Sequence, residues 1–161
     1  MTDLYNHISF HEFYDKALEY GDQGAPFHLA LIDIDNFKLI NDKYGHRTGD
    51  IILARVAKFI RDIISSADIA ARYGGEEFAV LFFEKTLEEA EATADKIRLR
   101  LSETPHEEMG GAAVTVSIGL KSYSQGTTKE QLFEEVDALL YAAKHEGKNK
   151  VLTPSSSTIF T

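Results

Sequence analysis

At 161 residues, with 17 Lys and Arg against 26 Asp and Glu, the chain carries a formal charge of −9 and contains no cysteine. The length suits one domain with a real core. Missing thiols exclude a disulfide framework or a thiolate metal site, and the negative charge argues against nucleic acid as a partner, because phosphate-backbone binding draws on clustered Lys and Arg. No basic, apolar leader and no run of about 18 apolar residues occurs, so this segment is expected to make no membrane contact and to be cytoplasmic.

Residues 8–20 read as a helix. The run at 27–35, Phe-His-Leu-Ala-Leu-Ile-Asp-Ile-Asp, is too apolar and too short for an exposed helix, and reads as a buried strand delivering Asp33 at its end. A short helix over 36–44 stops at Gly45. Residues 50–64 are amphipathic, with Ile52, Val56, Phe59, Ile60 and Ile63 at helical spacing and Arg55, Lys58 and Asp62 off that face. Gly74-Gly75 predicts a hairpin turn of positive φ between strands at 68–73 and 76–83. A third long helix covers 87–101, where Glu88, Glu89 and Glu91 form a solvated face that complements the helix dipole. A strand at 114–120, a helix at 130–146 with Gly147 as its C-cap, and an edge strand at 149–152 follow. Residues 1–152 make up the domain, and polar residues 153–161 are expected to be a loosely ordered tail. Helices and hairpins on one sheet give an α+β fold, a sheet covered by helices.

A carboxylate at a strand end needs a partner. Asp33 suits either an N-cap for the helix after it or a metal ligand. Glu76 and Glu77 follow the Gly-Gly turn, and side chains alternate along a strand, so only one of them shares the face of Asp33 unless the turn twists them. Divalent metals held by carboxylates would turn an acidic site into a triphosphate site. Asn41 and Asp50 flank a Gly-containing loop and suit two polar side chains converging on a planar base, while Asp50 equally suits an N-cap. Phe37 fits the core as well as a stacking role, and Lys38 fits solvent as well as phosphate. Lys144 and Lys148, four apart near a helix end, could simply oppose the dipole. A loop histidine such as His46 favours a structural role. His7 and His11 share a helix face, but two imidazoles without a third ligand are weak evidence for metal.

Four segments in order resemble the GGDEF domain, the diguanylate cyclase family, in its Gly-Gly-Glu-Glu-Phe variant. They are Asp33-Ile34-Asp35-Asn36-Phe37-Lys38 through Asp50, then Arg72-Tyr73-Gly74-Gly75-Glu76-Glu77-Phe78, then Val116-Ser117-Ile118-Gly119, and Asp137 through Asn149. The resemblance, over roughly residues 2–152, implies the palm-like fold of nucleotidyl cyclases with a mainly antiparallel central sheet. It implies condensation of two GTP into cyclic di-GMP and two pyrophosphates at the interface of a homodimer. Asp33, the Ile34 carbonyl and Glu76 would hold Mg2+ or Mn2+, two per GTP, with Glu77 as a further ligand. Glu76 would also be the base, and Lys38 would stabilise the transition state. Asn41 and Asp50 would read guanine, His46 would contact substrate, Phe37 would stack, and Lys144 and Lys148 would bind the γ-phosphate.

Two departures from the pattern stand out. The family's product-inhibition motif, Arg-x-x-Asp, falls on Ser65 and Asp68, so tight product binding there is not expected. The opening motif, Leu-Thr-Gly-Leu-x-Asn-Arg-Arg-x-Phe, is matched only in its latter part by residues 2–10, with His7 and Ile8 in place of the arginines. An upstream regulatory domain, through which a full-length protein could be anchored to a membrane, is therefore expected.

Overall fold

The computed structural model describes residues 4–156. Its centre is β1 (Phe27–Ile34), buried at every position except Asp33. β3 (Glu77–Phe83) pairs antiparallel along one edge of β1 and β4 (Val116–Ser122) antiparallel along the other. β2 (Ile69–Arg72) lies antiparallel outside β3 and β5 (Val151–Leu152) parallel outside β4, giving the order β2-β3-β1-β4-β5. The fold is the expected α+β sheet, mainly antiparallel and flanked by helices. A strand paired on both edges and covered on both faces has to be apolar throughout, which accounts for the unbroken hydrophobic run in the sequence.

Alternation along β1 sends Ala30, Ile32 and Ile34 into a core shared with α2 (Phe37–Tyr44), α3 (His46–Ile63) and α4 (Leu87–Ser102). Leu29 and Leu31 point the other way, into a core built with α1 (His7–Asp22) and α5 (Lys129–His145). Asp33 continues the second set and so faces α5. Among the described residues, no helix is long and apolar enough to cross a membrane.

Several boundaries differ from expectation. α3 begins at His46 rather than at residue 50, because Gly45 (φ 93°) alone turns the chain from α2 into α3. Asp50 is therefore inside the helix, and its N-cap alternative falls. Glu89 is more than part of a solvated face: its side chain accepts the Thr86 N–H at 2.8 Å while Thr86 Oγ1 accepts the Glu89 N–H at 3.1 Å, a reciprocal cap for α4. α5 ends one residue earlier than expected, at His145 with Glu146 as its C-cap, and Gly147 (φ 111°) then allows the Lys148 N–H to close back on the Ala143 carbonyl at 2.9 Å. The expected loose tail does not begin at 153. Thr153 is fully buried and donates its N–H to Ser156 Oγ at 2.7 Å. Residues 157–161 of that tail, and residues 1–3, which include the start of the opening motif, lie outside the described residues.

Candidate active site

Register along the sheet settles the question of faces. Glu77 lies directly opposite Asp33 across the β1–β3 pair, so the two share a face. Glu76 sits just outside the strand, in the turn, where its carbonyl accepts the Ile34 N–H at 3.3 Å and its carboxyl is close enough to that of Asp33 for each to perturb the other. The turn does bring both glutamates to Asp33, though not by the expected means: neither Gly74 nor Gly75 adopts a left-handed φ. Instead the N–H groups of Tyr73 and Gly74 both donate to the Glu77 carbonyl, at 2.8 and 3.2 Å. The Arg72 guanidinium ties down the carbonyls of Gly75 (2.7 Å) and Gly74 (3.3 Å). A Cβ on Gly74 would lie 3.3 Å from Glu77 Oε1, the mobile end of a side chain, so a small shift of that carboxylate would admit it.

Three crowded carboxylates perturb one another. Burial, then the charge of Asp33 and their shared hydrogen bond, push Glu76 up to about 7. Burial also raises Asp33, partly offset by the Lys144 ammonium, and burial with the Asp33 charge raises Glu77. Lys144 Nζ lies 3.2 Å from Asp33 Oδ1, 3.2 Å from the Ile34 carbonyl and 2.9 Å from Asp35 Oδ1. These oxygens already converge on one cation. All are hard donors of the kind that suit Mg2+ or Mn2+. Among the described residues, no three acidic or imidazole side chains form a ready-made cage.

The other expected site residues distribute themselves less evenly. Asn41 lies against the first turn of α3, where its Oδ1 would be 1.9 Å from a Cβ placed on Gly49. Asp50, the next residue after that glycine, is exposed, as are His46 at the start of α3 and Lys38 in the first turn of α2. His46 is thus helical rather than in a loop. Phe37 belongs to the core, 9% exposed in one cluster with Ile40, Ile52 and Leu53, which is the packing alternative of its two readings. The two C-terminal lysines part company: Lys144 turns inward to Asp33 and Asp35, and Lys148 Nζ meets Asn36 Oδ1 at 2.8 Å. A 290 Å³ cleft along α2, lined by Asp35, Asn36, Leu39, Lys43, Met109 and Thr115 among others, adjoins these residues and includes none of those expected for base or metal.

Asp35 escaped the sequence reading. It is 3% exposed and takes hydrogen bonds from Thr115, Ser117, Lys144 and the Asn149 N–H. A readable signal existed, because Asp33 and Asp35 are two apart at a strand end and so face the same way. Tyr73 was also missed; its ring touches His7, Phe10 and His11 of α1 and Phe133 of α5, bracing the turn. His7 and His11 pack edge to face within this aromatic cluster. At the product-inhibition position, the Asp68 side chain is fully buried. It is engaged by Ser65 N–H and Oγ, Phe83 N–H and Lys85 Nζ.

An antiparallel palm whose central strand and neighbouring turn present clustered carboxylates to one lysine is the framework of a nucleotide-handling α+β domain. The model of "Diguanylate cyclase, GGDEF domain" matches residues 1–150. Diguanylate cyclase A of Treponema denticola is 38% identical over 160 residues, covering 93% of this chain and 43% of that protein. The GGDEF domain of DgcB from Caulobacter crescentus, solved in complex with c-di-GMP, superposes with a TM-score of 0.89 at 35% identity, covering 94% of this chain and 92% of the other. The active GGEEF domain of a diguanylate cyclase from Vibrio cholerae does so with 0.89 at 32% identity, covering 94% and 97%. The chain belongs to the GGDEF domain family. It spans less than half the length of the curated relative from Treponema.

Proposed function

We propose that this domain is a diguanylate cyclase half-site: it holds one GTP and, paired with a second copy, condenses two GTP into cyclic di-GMP and two pyrophosphates. The observation that carries the reading is the convergence of Asp33, Glu76, Glu77 and the Ile34 carbonyl around Lys144 at the end of β1. Asp33, the Ile34 carbonyl and Glu76, with Glu77 as a further ligand, would hold Mg2+ or Mn2+, two per GTP, supplying charge neutralisation on the triphosphate. Lys38, Lys144 and Lys148 add fixed positive charge along the same seat. Asn36 leaves the first-turn amides of α2 without a side-chain cap, so these donors are open to an anion. Asn41 and Asp50 present an amide and a carboxylate suited to the guanine edge, and His46 flanks them.

In the reaction, a 3′-oxygen forms a bond to the α-phosphorus of the facing GTP while the bond to the β-phosphate oxygen breaks and pyrophosphate leaves. The 3′-hydroxyl proton passes to Glu76, the base that the family resemblance implies. Alignment of the two nucleotides supplies most of the acceleration. Mass analysis of the product after incubation with GTP and Mg2+ tests the reading. Glu76→Gln and Asp33→Asn should each lower product formation by about 10²- to 10⁴-fold with folding intact, the usual worth of a general base or more. Near-normal turnover by either variant would sink the assignment.

A further inference from the structure

The two oxygens of Asp35 divide their work between structure and site. Oδ1 accepts from Ser117 Oγ at 2.7 Å and from Lys144 Nζ at 2.9 Å, while Oδ2 accepts from Thr115 Oγ1 at 2.6 Å and from the Asn149 N–H at 3.0 Å. Asp35 is thus held by four donors, 3% exposed, immediately after the expected ligands Asp33 and Ile34.

The Asn149 contact reaches the second lysine. Lys148 (φ 62°) and Asn149 (φ 49°) are consecutive left-handed residues, a conformation that lysine disfavours and that only surrounding contacts keep. Three such contacts exist: the Lys148 N–H on the Ala143 carbonyl at 2.9 Å, the Asn149 N–H on Asp35, and Arg98 Nη1 on Asn149 Oδ1 at 3.0 Å. Lys148 Nζ then lies 2.8 Å from Asn36 Oδ1, on the residue next to Asp35.

We infer that Asp35 is a positioning residue for the triphosphate seat, holding Lys144 by its ammonium and Lys148 through the backbone turn that carries it. The inference rests on the reading in which these lysines face the triphosphate. In Asp35→Asn the amide oxygen can still meet Ser117 and Lys144, but the amide nitrogen opposes a second donor to the Asn149 N–H, so the turn is released and the charge is lost.

The test is calorimetric binding of the α,β-methylene analogue of GTP, and of guanosine, in the presence of Mg2+. Asp35→Asn should weaken the triphosphate analogue by about ten- to a hundredfold, the usual cost of losing a support behind a ligating group, and leave guanosine unchanged. Combined with Lys144→Ala it should lose less than the product of the two single effects. Equal weakening of guanosine, or effects that simply multiply, would reduce Asp35 to fold support and overturn the inference alone. Normal analogue binding by both Lys144→Ala and Lys148→Ala would overturn the lysine reading itself. If Asp35→Asn does not fold, Thr115→Val, which keeps the charge and removes one donor, should still weaken the analogue several-fold but not guanosine; no change in that variant counts against the proposal.

Discussion

Glu76 ties stability to pH through a single carboxyl. Its folded-state pKa, pushed from 4.5 to about 7, means that the native state holds this proton more tightly than the unfolded chain does. The associated stabilisation is complete below the unfolded value and disappears as pH rises through about 7. Asp35, shifted the opposite way, acts only at and below the ordinary carboxylate range. His11 and His106, both lowered by burial, act within the window in the opposite sense, regaining stability as pH rises to the ordinary histidine value. Without divalent cation, the Glu76 contribution to the melting temperature should therefore fall between about pH 5 and about pH 8, read as the difference between the wild-type and Glu76→Gln profiles. Added Mg2+ should raise the melting temperature more at the alkaline end, where the carboxylates are charged; an equal rise at both ends would contradict the cluster as the cation seat. Base recognition has its own single-residue test. Asp50→Ala should reduce discrimination of GTP against ATP by about 1 to 3 kcal/mol, the common worth of an unpaired polar edge. Gly49→Ala, whose Cβ would meet Asn41 Oδ1 at 1.9 Å, should displace the Asn41 amide and lower GTP affinity with Asp50 untouched. Competition binding with both nucleotides checks the pair, and unchanged preference in both variants would move guanine readout elsewhere.

Between elements, the contact that sets the site is α5 on β4. A Cβ on Gly119 would lie 2.4 Å from the Val136 carbonyl and 2.6 Å from the Leu140 N–H, so helix and strand touch backbone to backbone there. This explains the glycine of Val116-Ser117-Ile118-Gly119, and it brings Lys144 down to Asp33. Gly119→Ala should cost at least the roughly 1 to 3 kcal/mol of overpacking, because backbone cannot rotate away, and should lift α5. Urea unfolding gives the first effect and loss of analogue binding the second; a wild-type midpoint would refute the close approach. Sequence made the strands and most helices legible, because a doubly covered strand and an amphipathic helix each leave a periodic trace. It hid the start of α3, whose first turn, His46-Arg47-Thr48-Gly49, is polar and whose cap, Gly45, makes no side-chain bond. The Gly74-Gly75 turn was legible as a turn, but not the Arg72 guanidinium that reaches forward to two of its carbonyls, which no glycine count reveals. Asp35 was hidden for a different reason: its partners stand 80 to 114 residues away in the chain, so its role exists only once β1, β4 and α5 have met.

For the molecule as a whole, the proposed reaction needs two copies, because one domain offers one seat and the 3′-hydroxyl must come from the other. Each copy carries a formal charge of −9, so two approaching domains repel at long range, an effect that salt and a cation-loaded nucleotide reduce. While the domain is mostly monomeric, its specific activity should rise with protein concentration, giving a rate steeper than linear. Added salt, within the range that spares nucleotide binding, should speed the encounter. Fusing a parallel coiled coil ahead of residue 2 replaces the encounter with an intramolecular one at an effective concentration in the millimolar range for a short flexible link. The fused protein should then be faster per domain, linear in concentration and indifferent to salt. Initial rates against enzyme concentration, for both forms and with oligomeric state measured alongside, decide the matter: a strictly linear rate for a domain shown to be monomeric would rule out the two-seat mechanism, whatever the carboxylates are doing.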